Sequence, residues 1–121
     1  MAALALALLA LIGTTGEVLA HASLVKASPA RRSTLGQPPS RVELTFSERL
    51  EPAYASVSVL DAAGRQVDLG DAAVTRDARR LGVSLPPLGP GTYTVRFRVL
   101  SVDGHVVESS FPFTVRPAPA R

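Results

Sequence analysis

Cysteine and tryptophan are absent from the 121 residues, and the one methionine is Met1. Without cysteine there is no disulfide and no thiolate ligand, so stability rests on a hydrophobic core and any metal must be held by nitrogen or oxygen donors. Aromatic residues are scarce, two Tyr and four Phe. Thirteen basic residues against ten acidic ones give a formal charge of +3, but the arginines are scattered along the chain and the only adjacent pairs are Arg31-Arg32 and Arg79-Arg80. A nucleic-acid partner needs positive charge gathered on one face with aromatic platforms between, so this composition reads as a solvated basic surface instead. A membrane-spanning run is missing too. The apolar stretch Met1 to Ile12 is too short for a bilayer core, which takes about 20 residues.

That stretch reads as the apolar part of an export signal. It is followed by the polar Gly13-Thr14-Thr15-Gly16-Glu17 and by Val18-Leu19-Ala20, whose small residues suit a signal peptidase. No Lys or Arg precedes the run, so either the amino terminus alone supplies the positive charge or the natural start lies upstream. Cleavage after Ala20 divides the chain into a leader over residues 1–20, one domain over residues 21–116 and a frayed Pro/Ala tail over residues 117–121. No membrane span would remain after cleavage. The triplet Ala20-His21-Ala22 is a second cleavage signal, and cutting after Ala22 would give a different mature start.

Beyond the leader no long helical periodicity occurs. A first strand is expected over Ala22 to Ser28, stopped by Pro29, and the turn formers between Ala30 and Ser40 make a loop. Val42, Leu44 and Phe46 alternate with Glu43 and Thr45, as one half-buried strand requires. Ala55 to Asp61 alternates again, and Ala62-Ala63-Gly64-Arg65 predicts a hairpin turn into a strand at Gln66 to Leu69. Leu81, Val83 and Leu85 form another strand, Tyr93, Val95, Phe97 and Val99 the clearest one, and Phe111, Phe113 and Val115 the last. Pro112 must aim its missing donor away from the ladder or sit at an edge or bulge. About seven short strands separated by Gly/Pro turns predict an all-β fold, a Greek-key β-sandwich or barrel of immunoglobulin-like, cupredoxin-like shape.

Histidine occurs only at positions 21 and 105. Cleavage after Ala20 would give His21 a free α-amine beside its imidazole, two nitrogens that close a small chelate ring and suit Cu(II) in a tetragonal site. His105 ends Ser101-Val102-Asp103-Gly104-His105, a connection between two strong strands. Asp103 and His105 are two apart, so carboxylate and imidazole can project to one side while Gly104 lets the backbone bend. One Cu(II) ion held by the His21 amine, both imidazoles and Asp103 would have three nitrogens and one oxygen. The first and last strands of a sandwich can lie close together, so distance along the chain does not forbid a shared site. Amine and imidazole ligands must be deprotonated to bind, so the affinity of such a site falls as the medium turns acidic.

His21-Ala22-Ser23-Leu24-Val25-Lys26-Ala27-Ser28-Pro29-Ala30, Val42-Glu43-Leu44-Thr45-Phe46-Ser47-Glu48, Leu88-Gly89-Pro90-Gly91-Thr92-Tyr93-Thr94-Val95, Ser101-Val102-Asp103-Gly104-His105 and Phe111-Pro112-Phe113-Thr114-Val115 together resemble the CopC family of bacterial copper-resistance proteins. The likeness runs in the family's order over residues 21–116. It implies a periplasmic Cu(II) carrier without enzymatic activity, with His21, His105 and Asp103 as ligands and Glu48 as an occasional or outer one. It also implies a CopD-type membrane copper transporter as a partner, here a separate polypeptide. The methionine-rich Cu(I) loop of some members has no counterpart, because Met1 leaves with the signal, so no Cu(I) methionine site is expected. Two other readings share these residues. A copper monooxygenase also uses an N-terminal histidine brace, although an aspartate ligand would fill a position that oxygen activation needs, and Tyr54 is the one plausible sugar platform. A metal-free immunoglobulin-like accessory module is the third.

Overall fold

The computed structural model describes residues 23–119. The leader expected over residues 1–20, His21 and Ala22, and the final two residues of the expected tail lie outside them. The described chain forms eight strands: β1 (Leu24–Ser28), β2 (Thr34–Leu35), β3 (Arg41–Phe46), β4 (Ser56–Leu60), β5 (Ala73–Val74), β6 (Arg80–Ser84), β7 (Gly91–Leu100) and β8 (Val106–Val115), with a single 3-10 turn at Pro52–Tyr54. They make two four-stranded sheets, in the orders β1-β3-β6-β5 and β2-β8-β7-β4.

Alternation in the sequence becomes the two sides of each sheet. Val42, Leu44 and Phe46 of β3, Leu81 and Val83 of β6, Val57 and Val59 of β4, Val95, Phe97 and Val99 of β7, and Phe111, Phe113 and Val115 of β8 are buried in one common core. The rings of Phe46 and Phe97 meet edge to face across the two sheets with centroids 5.5 Å apart, an arrangement aromatic pairs favour. The sandwich expected from the sequence is therefore present.

Two local expectations are corrected, and one short strand is added. The loop expected over residues 30–40 contains β2, which pairs in parallel with Thr114 and Val115 of β8. The pair Ala73–Val74 adds β5 beside Leu81 and Gly82. Gln66 to Leu69 is not a strand: Leu60 and Gln66 form an isolated bridge. Val67 N–H then donates to Val59 O in one sheet and Leu69 N–H to Ser84 O in the other. The predicted turn is present, but the segment pairs with β4 only through Gln66 and Val67 before it crosses to the other layer. Pro112 behaves as expected. Its carbonyl accepts Arg32 N–H, and because N and O of one strand residue point the same way, its donor-less nitrogen faces that outer side and spares the β7 ladder.

A candidate metal centre at the end of the β7–β8 hairpin

The β7–β8 pair is the longest in the molecule, running in register from Gly91↔Val115 to Leu100↔Val106. The five residues that close it fold by their own hydrogen bonds: Ser101 N–H donates to His105 O and Gly104 N–H to Ser101 O, both at 2.9 Å. Gly104 has φ +94°, a conformation costly for any residue with a Cβ. Ser101 is 1% exposed. Its hydroxyl donates to Asp103 Oδ1 in a short hydrogen bond, and the same oxygen lies 3.2 Å from His105 Nδ1.

The carboxylate thus faces two donors at one oxygen. The Ser101 hydroxyl first and the His105 ring second hold Asp103 below the usual carboxylate range, so it is ionised at neutral pH. A carboxylate only accepts, so in the neutral tautomers of His105 this contact favours the proton on Nδ1. Both of these donors meet Oδ1 of Asp103. Asp103 and His105 are 39% and 53% exposed in their side chains, so the pair is open to an ion from solvent.

A strap between β3 and the 3-10 turn ties the hairpin tip to the start of the described chain. Ser23 N–H donates to Ser47 Oγ, and Ser47 N–H to Ser23 O. Two residues further on, Val102 N–H donates to Arg49 O at 2.9 Å, and Leu50 bridges Ser101. Buried Leu50 pins this strap to the core. The first and last strands sit in different sheets, and the proximity expected between the chain's two ends is mediated by residues 47–50 rather than by pairing.

The expected site residues therefore divide into three groups. Asp103 and His105 are brought together. Glu48 lies half-buried on the strap, and among the described residues no three His, Asp or Glu side chains gather around one point, so it does not complete a cluster with them. His21 lies outside the described residues. Ser101 was missed as a site residue; its place at the first position of the closing turn was the available signal. Also among the described residues, no helix is long and apolar enough to cross a membrane.

The CopC domain model matches residues 24–116. The crystal structure of CopC from Methylosinus trichosporium OB3b is 40% identical with a TM-score of 0.72, covering 84% of this chain and 99% of that one. Protein YobA of Escherichia coli K12 is 33% identical over 93% of this chain and 92% of its own length. Copper resistance protein C of Xanthomonas campestris pv. juglandis is 31% identical over 84% of this chain and 85% of its own. Fold, order of elements and match over nearly the whole described chain agree: this chain belongs to the CopC family.

Proposed function

We propose that this protein is a copper-binding protein of copper resistance, not an enzyme, and that its cargo is one Cu(II) ion bound where the mature N-terminus meets the β7–β8 hairpin in the periplasm. Family membership carries the copper role. The observation that supports the location is the double anchoring of one strap, Ser47 to Ser23 on one side and Arg49 to Val102 on the other. His21 is two residues before Ser23, and two residues of chain span at most about 7 Å. A mature N-terminus at His21 would thus start from the same strap that holds the hairpin tip.

The chemistry of the donors fits the divalent ion. The Nδ1–H tautomer of His105 offers Nε2 to a metal, a geometry fixed by the carboxylate beside it. Asp103 keeps a charged oxygen, Oδ2, able to act as ligand, and His21 adds amine and imidazole. Three nitrogens and one anionic oxygen stabilise Cu(II) in a tetragonal field, and no thioether is at hand to favour Cu(I). A one-electron reductant from outside the protein, by converting the ion to Cu(I), would weaken its hold on these nitrogen and carboxylate donors. The recipient in this reading is a CopD-type membrane transporter, a separate chain.

The test uses exported, processed protein with one equivalent of Cu(II). The electron paramagnetic resonance spectrum is expected to be tetragonal with superhyperfine structure from three nitrogens. N-terminal sequencing is expected to begin at His21. A mature start at Ser23, or a spectrum with fewer than two nitrogens, overturns the ligand set.

A further inference from the structure

Three arginines far apart in sequence, Arg32, Arg96 and Arg98, come to the outer side of the β2-β8-β7-β4 sheet. Register places Arg96 between Ser58 of β4 and Ser110 of β8, and Arg98 between Ser56 and Glu108. Both arginines are exposed. Past β8, where β2 does not reach, Arg31 and Arg32 line a shallow recess with Ser110 and Pro112. Arg32 is fixed there by its N–H bond to Pro112 O, whereas the Arg31 guanidinium turns to the edge between the sheets, 5.5 Å from the ring centroid of core residue Phe111 and beside residues 24–27 of β1. Against Arg32, Arg96 and Arg98 the strands of this face carry one carboxylate, Glu108, which lies 3.9 Å from Arg98. Arg31, Arg32 and Arg96 form no ion pair among the described residues.

We propose that this face docks on an anionic phospholipid surface. The cations are spread over a broad sheet face with serine hydroxyls between them, so several separate phosphate groups can be met at once. Planar guanidinium groups match phosphate oxygens by paired hydrogen bonds, and hydroxyls add further donors. An acidic peptide is the competing occupant of an arginine cluster, and it is tested beside the vesicles below. No aromatic side chain stands on this face to stack a base. The same two strands end in the hairpin that carries Asp103 and His105, so docking lays the hairpin along the membrane with its tip at the rim of the contact. This placement rests on the copper reading for its purpose, though not for its physics: it brings the cargo to the plane where a membrane transporter receives it.

The experiment is sedimentation with vesicles of about one-third phosphatidylglycerol in phosphatidylcholine, at about 0.05 M and about 0.5 M salt. The intact protein is expected to pellet with anionic vesicles at low salt, and to stay in solution at high salt or with neutral vesicles. Each basic residue at such a surface changes partitioning about fivefold, so Arg96→Gln with Arg98→Gln should weaken it roughly 25-fold. Arg76→Gln with Arg80→Gln removes the same charge elsewhere and should weaken it far less. Glu108→Gln should strengthen it about fivefold, a gain that misfolding cannot mimic. Equal loss in both double variants, binding to a polyglutamate peptide without binding to vesicles, or no vesicle binding at all overturns the proposal. Copper titration of the same samples separates the two ideas. Normal Cu(II) uptake without docking sinks only the lipid face, and docking without uptake sinks only the copper reading.

Discussion

Two turns at opposite ends of the β7 ladder share one backbone design and use their aspartates differently. In Asp61–Arg65, the first N–H donates to the fifth carbonyl at 2.8 Å and the fourth N–H to the first carbonyl at 2.9 Å. In Ser101–His105 the same two bonds recur, and each turn has a glycine of positive φ at its fourth position, Gly64 at 84° and Gly104 at 94°. Asp61 occupies the first position. Its Oδ1 accepts the N–H of Ala63 and of Arg65, and Oδ2 takes the Arg65 side chain. That carboxylate is consumed by its own turn. In the second turn Ser101 holds the first position, and the aspartate has moved to the third, beside the histidine at the fifth. One small hydroxyl in the closing position leaves a charged oxygen to face solvent with an imidazole, and this separates a structural turn from a ligand-bearing one.

The sharpest way to break the comparison is to remove the imidazole. His105→Ala is expected to lower Cu(II) affinity by more than about 100-fold, exceeding the 10–100-fold typical of outer partners, with an unchanged far-ultraviolet circular dichroism spectrum; affinity is read by competition titration. Asp103→Asn keeps shape but loses charge and should cost about 10–100-fold. Asp61→Asn should leave copper affinity untouched and act on stability instead. Asp61 is held below its ordinary value of 3.8 chiefly by the Arg65 N–H. Its contribution is therefore complete above that value and lost as pH falls through the lower folded one. Melting temperature of the metal-free protein between pH 6 and 2 (about the range that brackets a carboxylate) should fall in acid, with a shallower slope in Asp61→Asn.

How far this contrast was readable beforehand depends on the length of the pattern. Strands β3, β4, β6 and β7 announce themselves by alternation, because each has a buried face with at least two apolar residues in phase. β2 and β5 have two residues each, too few for any period, and they exist because neighbouring strands offer free edges. Gln66 to Leu69 misleads because turn residues before it predict a return strand. Asp68 instead accepts Val59 N–H at 2.8 Å through its side chain, and the backbone is released to cross to the other sheet. The Asp103–His105 pair was legible from two-residue spacing and an intervening glycine. The strap that joins it to Ser23 was not, since hydrogen bonds between Ser47, Arg49 and residues far along the chain leave no local signature. The arginine face was hidden for the same reason: Arg32 and Arg96 come to flank one strand only through the β8 register.

The glycines sharpen the comparison at smaller cost. A Cβ at either position meets open space, so substitution is penalised by backbone conformation alone. Gly64→Ala and Gly104→Ala should each lose about 1–2 kcal/mol of stability, measured by urea unfolding. Only Gly104→Ala should also weaken copper binding, because bending that residue displaces Asp103 and His105 relative to each other. Equal copper affinity in the two variants would show that the hairpin tip does not hold the ligands in place.

The smallest expected effect tests the reason the two turns diverge. Ser101 is buried and is not itself a ligand, so Ser101→Ala removes no donor atom. Its hydroxyl nonetheless donates to Asp103 Oδ1 and is the leading cause of the lowered acidity range of that carboxylate. Without it, His105 alone orients the acid, and the carboxylate gains rotamers in which Oδ2 turns away. Copper affinity should fall by up to about tenfold, the low end for a partner of a metal ligand, and Ser101→Thr should recover part of it where the longer side chain fits. A Ser101→Ala variant that binds copper as tightly as the parent would mean that the first turn position serves only to close the hairpin, and that Asp103 owes its orientation to His105 alone.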